Sequence, residues 1–423
     1  MRRLVWCSAL CLLLLPAAAQ EPPSVKTKAQ GYIATLAGPA MFGRGYVNGG
    51  DSLAADWIAS RFDALGVGRL DDRRFEPFSF AVNTFPDSVR VSIDGTVLKP
   101  GIDFITDPAS GPAEGEFHLV RLVQEDLLTP ERRTMTIGAV VGNAIYLDLP
   151  PTKDHDTLAL RAAWEQELVR YAPVLRRSAG KLTWSVAEKP LRNALIEVLP
   201  GAIPDTATTV RLSIRNRYLP RHHARNVMGT VMAKGGSKDW LVISAHYDHL
   251  GLMGPDALFA GANDNASGVA MLLCLAEEIA KKPLRKNVLF IAFAGEEAGL
   301  QGSRWCVVDR PIDLRRIKAM INLDLNGTGE EGITVVNATE QKKLFSTLVK
   351  INDAKKRLPQ VKARGPACNS DHCPFVQKGV PAVFIYTMGG AAHYHDVRDL
   401  PDGLSLAGFD GLYRNLVDLM HKL

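Results

Sequence analysis

From about Val210 to the C-terminus, short apolar runs alternate with amphipathic stretches, and this rhythm constrains the fold more than any other feature of the chain. The runs 240–245, 287–294, 317–323 and 382–386 are continuous enough to be strands buried on both faces. The stretches 267–281, 340–353 and 404–423 carry apolar residues at helical spacing, as helices packed on one side do. Alternation of this kind predicts an α/β layer fold with a largely parallel sheet. Ligands of such sheets gather beyond the carboxyl ends of the strands. Polar residues at those ends are therefore the first candidates for chemistry.

His246-Tyr247-Asp248 follows the run 241–245, Glu296-Glu297 follows 288–294, and Asp324 follows 317–323. Asp264 precedes a helix, and His395 sits in a loop after the last strand. Taken singly, Asp264 is a possible helix cap and Asp324 a turn residue before Asn326-Gly327. Together His246, Asp264, Glu297, Asp324 and His395 make two imidazoles and three carboxylates without a thiolate. That set suits zinc, with manganese or cobalt as substitutes. His246 and Asp248 are two apart and share a face of an extended segment, so Asp248 can accept the second ring N–H. Adjacent Glu296 and Glu297 point in different directions, so one can bind metal while the other serves as a general base toward water. Two metals about 3.5–4 Å apart need one shared carboxylate.

The rest of the chain narrows the setting. Met1-Arg2-Arg3, an apolar run from 4 to 15 and Ala17-Ala18-Ala19 read as a signal peptide over 1–19, with cleavage near Ala19-Gln20. The run is shorter than the roughly 20 residues a spanning helix needs. A secreted or periplasmic protein follows, with no stable membrane span once the leader is gone. The net charge is only +5, and no block of five Lys/Arg occurs, which argues against nucleic acid as a partner. No CxxC pair exists, so a thiolate zinc site is excluded; Cys274 reads as a buried small hydrophobe, and Cys368 and Cys373 are close enough for a local disulfide in an exported protein. Residues 29–65 read as two helices around Gly43-Arg44-Gly45. That turn fails as a dinucleotide fingerprint, because Asn48 takes the third glycine's place and no strand precedes it. The region 101–200 reads as short strands, turns and one helix at 157–171, without clustered catalytic residue types.

His246-Tyr247-Asp248-His249, the run 261–268 (GANDNASG), the run 295–303 (GEEAGLQGS), Asn322-Leu323-Asp324, Ser370-Asp371-His372 and Tyr394-His395 occur in the order of the M28 family of zinc peptidases. The chain resembles that family from about Ala29 onward, and Gly43-Arg44-Gly45 resembles its usual turn. The resemblance implies a three-layer phosphorylase/hydrolase-like α/β fold. The catalytic domain would comprise 20–103 and 196–423, interrupted by a smaller strand-rich, protease-associated (PA-like) domain at 104–195. It implies two zinc ions per chain bridged by Asp264, one completed by His246 and Asp324, the other by Glu297 and His395. Glu296 would be the general base, Asp248 the acid that orients His246, and Tyr394 a group that steadies the oxyanion. Ser370-Asp371-His372 would shape the pocket. The implied activity is an aminopeptidase acting on peptide substrates.

Three alternatives share the fold. A glutaminyl cyclase would use one zinc, although the run 264–268 is more peptidase-like. A carboxypeptidase would need basic residues for the substrate carboxylate, with Arg304, Arg364 and Arg398 near the motifs. A non-catalytic receptor-like ectodomain would have lost ligands, whereas all five ligand types and the base are present. Asn265-Ala266-Ser267 and Asn326-Gly327-Thr328 fit the N-glycosylation pattern, yet each lies within two residues of a candidate ligand. Neither is expected to carry a glycan, and a glycan found at Asn265 by mass spectrometry of active protein would overturn the proposed site.

Overall fold

In the computed structural model the described residues are 23–127, 130–390 and 392–423, so the leader at 1–19 lies outside them. An eight-stranded sheet forms the centre, in the order Phe75–Thr84, Arg217–Val231, Asn287–Phe293, Trp240–His246, Ile317–Leu323, Ala382–Met388, Gly332–Val336, Val361–Ala363. The four middle strands run parallel, while both flanks join antiparallel. The sheet is mixed, with the parallel part at its heart.

Alternating side chains feed two separate cores. Val288, Phe290 and Ala292 face one side, and Leu289, Ile291 and Phe293 the other. On the first side lie the helices Val25–Leu36, Gly50–Ala64, Gly268–Lys281, Lys342–Lys355 and Phe409–Lys422. Helices Gln301–Asp309 and His372–Gln377 cover the second side through Cys306, Val307 and Phe375. These are the three layers expected of continuous, doubly buried strands. Among the described residues, no helix is long and apolar enough to cross a membrane.

A second eight-stranded sheet draws its strands from Val89–Ile93 through Thr209–Ile214. Its span is wider than the 104–195 assigned from sequence. It also contains a helix the sequence reading lacks, Pro130–Val140, beside the anticipated one, His155–Leu168. Proline at the first helical position pre-sets the backbone there, but a polar Glu-Arg-Arg start hides the pattern. The core of the second sheet also takes in Met253, Ala257 and Phe259 from the separate hairpin Gly251–Met253/Ala257–Phe259, together with Tyr146, Leu175 and Ile196.

Glu76 sits opposite Asn226 on the paired edge strands, accepting from its Nδ2 at 2.6 Å. Burial pushes its carboxyl from 4.5 up to about 7, only partly offset by Asn226. The folded chain therefore holds this proton more tightly than the unfolded one. The associated stability is present below pH 4.5 and is lost as pH rises through 7. Glu76→Gln is expected to remove that decline and to gain roughly 2–3 kcal/mol over wild type above pH 8. Urea midpoints at pH 5 and pH 8 read this directly, and an unchanged slope would contradict it.

Candidate metal centre

The carboxyl ends of the parallel strands converge as the sequence anticipates. His246 closes the strand Trp240–His246, Asp324 follows Ile317–Leu323, and Glu296-Glu297 follow Asn287–Phe293. Asp264 lies in the single turn Ala262–Ser267 before helix Gly268–Lys281, and His395 in the loop beyond Ala382–Met388. The structure brings all five candidate ligands together. His246 Nε2 stands 3.3 Å from Asp264 Oδ1 and 3.3 Å from Asp324 Oδ1. His395 Nε2 stands 3.2 Å from Asp264 Oδ2 and 3.1 Å from Glu297 Oε2. Asp264 thus offers one oxygen to each imidazole.

Both rings have their tautomer set from behind. His246 Nδ1 is 3.2 Å from the carbonyl of Asp248, and His395 Nδ1 is 2.8 Å from the carbonyl of Trp184. A carbonyl can only accept, so each Nδ1 carries a proton and each Nε2 is left to meet two carboxylates, which calls for positive charge there, a proton or a metal ion. Burial opposes a charge on either imidazole, yet the carboxylates outweigh it. Asp324 and Glu296 hold His246 well above its ordinary range, and Glu297 and Asp264 raise His395 to about 11. The site demands positive charge at both Nε2 positions. Two nitrogens and three carboxylates, one of them shared, fit a pair of zinc-type ions.

The remaining oxygens are pinned by other groups. Ser370 Oγ donates to Asp324 Oδ2 at 2.8 Å, within a chain from Ser244 through Asn322 to Ser370. His249 Nδ1 is 2.7 Å from Glu297 Oε1. Asp399 accepts the amides of Asn263 and Asp264 at 2.9 and 3.0 Å. Arg44, fully buried, donates to the carbonyls of Leu36, Tyr247, Ala260 and Gly261 at 2.7–2.8 Å. Beside it, Gly45 passes so close to Gly251 that a Cβ would lie 2.5 Å from that Cα.

Asp248 departs from its expected role. Its carboxylate is 3.9 Å from His246 Nδ1, and the ring is met by its main-chain carbonyl instead. The carboxylate accepts the amides of Glu296 and Glu297 and the Tyr46 hydroxyl, at 3.1, 3.3 and 2.6 Å. Its acid group therefore fixes the Glu296-Glu297 turn rather than the imidazole. Burial raises Asp248 to about 6.

Glu296 faces a cavity of about 200 Å³ together with His246, Asp264, Asp324 and Tyr394. Burial, reinforced by Asp371, Glu297 and Asp324, lifts Glu296 well above the usual carboxylate range despite His246. Its carboxylate also lies within 4.8 Å of donor atoms of His246 and Asp324, inside the reach of a metal. Tyr394 stacks on His395 with centroids 3.8 Å apart and is half exposed. Leu325, Phe384 and Tyr386 form an apolar wall, with Arg364 and Asn369 also lining the cavity. Ser370, Asp371 and His372 lie behind the cavity rather than along it. Asp371 is buried with neither carboxylate oxygen hydrogen-bonded, and burial raises it to about 7. Cys368 and Cys373 are disulfide-bonded beside this segment, and Cys274 is free and buried. The side chains of Asn265 and Asn326 are fully buried and hydrogen-bonded.

Residues 226–420 match the profile of peptidase family M28. The chain is 33% identical over 174 residues to a probable leucine aminopeptidase of Arthroderma otae, covering 38% of this chain and 45% of that protein. It is 30% identical over 168 residues to aminopeptidase YwaD of Bacillus subtilis, covering 38% and 36%. The chain thus spans less than half the length of these curated relatives. Among solved structures, a zinc aminopeptidase from Bacillus subtilis aligns over 96% of both chains with a TM-score of 0.70 at 19% identity. An aminopeptidase from Aneurinibacillus sp. aligns over 94% of both, with 0.62 at 20%. At such identities the likeness is one of fold, and it covers both sheets.

Sequence reasoning named the five clustered side chains and Glu296 but gave no role to His249, Asp399 or Arg44. Arg44→Met would strip four buried carbonyls of their donor while keeping an unbranched stem. Its expected cost is on the order of 3 kcal/mol or more, seen as a lower denaturation midpoint; a shift below about 1 kcal/mol would mean that water replaces the guanidinium.

Proposed function

We propose that the protein is an exported zinc-dependent exopeptidase, an aminopeptidase that removes N-terminal residues from peptides. The observation that carries this reading is the shared carboxylate: Asp264 offers one oxygen to the Nε2 of each of two imidazoles. Two ions would be held, one by His246, Asp264 and Asp324, the other by Asp264, Glu297 and His395. Zinc, when bound, supplies Lewis acidity toward the scissile carbonyl and lowers the pKa of the attacking water.

The protein's own groups do the rest. Glu296, which faces the cavity, accepts the water's proton and returns it to the leaving amine. Asp248 keeps Glu296 and Glu297 turned apart through their amides. Tyr394 reaches the cavity from its place on His395 and steadies the developing oxyanion. The cavity's wall of Leu325, Phe384 and Tyr386 suits an apolar residue. The Cys368–Cys373 disulfide supports export, and so does the leader at 1–19.

Zinc content and hydrolysis of free-amine and N-blocked peptides, on wild type and Glu296→Gln, test the reading. The expectation is two zinc per chain in both proteins, cleavage only of free N-termini, and a kcat lowered about 10²–10⁴-fold in the variant. Cleavage of blocked peptides alone would make the protein a carboxy- or endopeptidase. One zinc with ring closure of N-terminal glutamine would make it a cyclase.

A further inference from the structure

Between strands Val174–Arg177 and Leu195–Val198 the chain leaves the second sheet and crosses to the metal centre. There it runs beside the loop that carries Tyr394 and His395. Lys181 Nζ donates to the carbonyls of Ala392 and Tyr394, both at 2.8 Å, and lies 3.8 Å from Asp396. Trp184 N donates to the carbonyl of His395 at 3.1 Å, and the Trp184 carbonyl takes the His395 Nδ1 proton at 2.8 Å. Trp184 is itself anchored, with Nε1 on the carbonyl of Thr106 at 3.0 Å and its ring 4.7 Å from Phe259. Farther on, the Ala187 carbonyl accepts from Asn83 N at 2.8 Å, tying the strap to the end of a main-sheet strand.

We infer that this strap, residues 181–184, is a working part of the metal centre, with Lys181 and Trp184 as positioning residues for His395 and Tyr394. The loop needs such support. His395 lies seven residues beyond its strand and holds a left-handed backbone, φ 54°, which a non-glycine residue keeps only when its surroundings impose it. Its imidazole must also present Nε2 toward Asp264 and Glu297. The reciprocal clasp with the Trp184 main chain fixes both ring direction and tautomer, as a partner behind a metal-binding imidazole does. Lys181, binding the carbonyls on either side of His393, holds the approach to that clasp. The second sheet unit is thereby a structural part of one metal site, rather than a detachable substrate-binding module.

The inference rests on His395 being a metal ligand. Its test uses the full chain with Lys181→Ala, Lys181→Met and Lys181→Arg, each checked for folding by thermal melting. Zinc release to a competing chelator and limited proteolysis within 389–396 are read alongside kcat and KM. Lys181→Ala and Lys181→Met are expected to release one of two ions about 10-fold more readily, near the lower end of what outer partners of metal ligands contribute. They are also expected to be cut within the loop and to lose kcat more than they raise KM, with Lys181→Arg largely restored. Should Lys181→Ala fail to fold, Lys181→Met, which keeps the aliphatic stem, carries the test. Wild-type zinc retention and loop protection in both variants would overturn the strap. Absence of zinc from the wild type would instead overturn the ligand reading, and the inference with it.

Discussion

Four carboxylates, those of Asp264, Glu296, Glu297 and Asp324, meet in one largely water-excluded pocket, and the surrounding structure is arranged around that concentration of charge. Gathering anions away from water costs several kcal/mol each unless a counter-charge sits among them. His246 and His395 occupy the positions where such charge belongs, and the protein restricts how each carboxylate answers. Ser370 takes the outer oxygen of Asp324, and His249 takes the outer oxygen of Glu297. Asp264 turns one oxygen to each imidazole. The sharing of Asp264 between the two imidazoles thus goes with the engagement of the outer oxygens of Asp324 and Glu297 elsewhere.

Holding that arrangement is a main-chain problem as much as a side-chain one. Several of the clustered side chains stand on loops or strand ends whose carbonyls cannot all find partners in helix or sheet. Arg44 meets this by reaching from the Gly43-Arg44-Gly45 turn to four carbonyls on three segments. It is buried completely, and burial lowers its guanidinium to about 10 against the opposing pull of Asp399, Asp264 and Asp248. Even at that value it stays charged at neutral pH, adding positive charge behind the carboxylate cluster. The glycines flanking it serve approach rather than flexibility alone, since Gly45 and Gly251 touch backbone to backbone.

Which parts of this were legible in the sequence follows from where the information resides. Strands buried on both faces announce themselves as unbroken apolar runs, and ligands at their ends as polar residues that interrupt them; 287–293 followed by Glu296-Glu297 is the clearest case. Helix Gly268–Lys281, buried along most of its length, was equally plain. What stayed hidden was carried by carbonyls and amides. That the main chain of Asp248 and not its carboxylate meets His246 leaves no trace in residue type, nor does the pairing of Trp184 with His395 across 211 positions. The reach of the second sheet to Val89 and Ile214 was hidden as well, because its flanking strands alternate like those of any half-exposed sheet.

That second unit leaves and re-enters the main sheet at adjacent points. Thr84 and Arg217, the last and first residues of the flanking strands, are paired across the antiparallel ladder. An insertion there leaves the main sheet's register intact, because the strands it separates are already neighbours. Such a placement by itself would allow the unit to hang loosely. The core around Met253 and Phe259 prevents that, since the hairpin bearing them springs from the segment joining His249 to Asp264. The unit therefore touches the metal centre twice. It braces from below the hairpin that leads to the bridging carboxylate, and it clasps from the side the loop that carries the last imidazole. Displacing it would disturb both partners of the Asp264–His395 contact at once, so the geometry of the metal centre and the seating of the second unit form one mechanical problem.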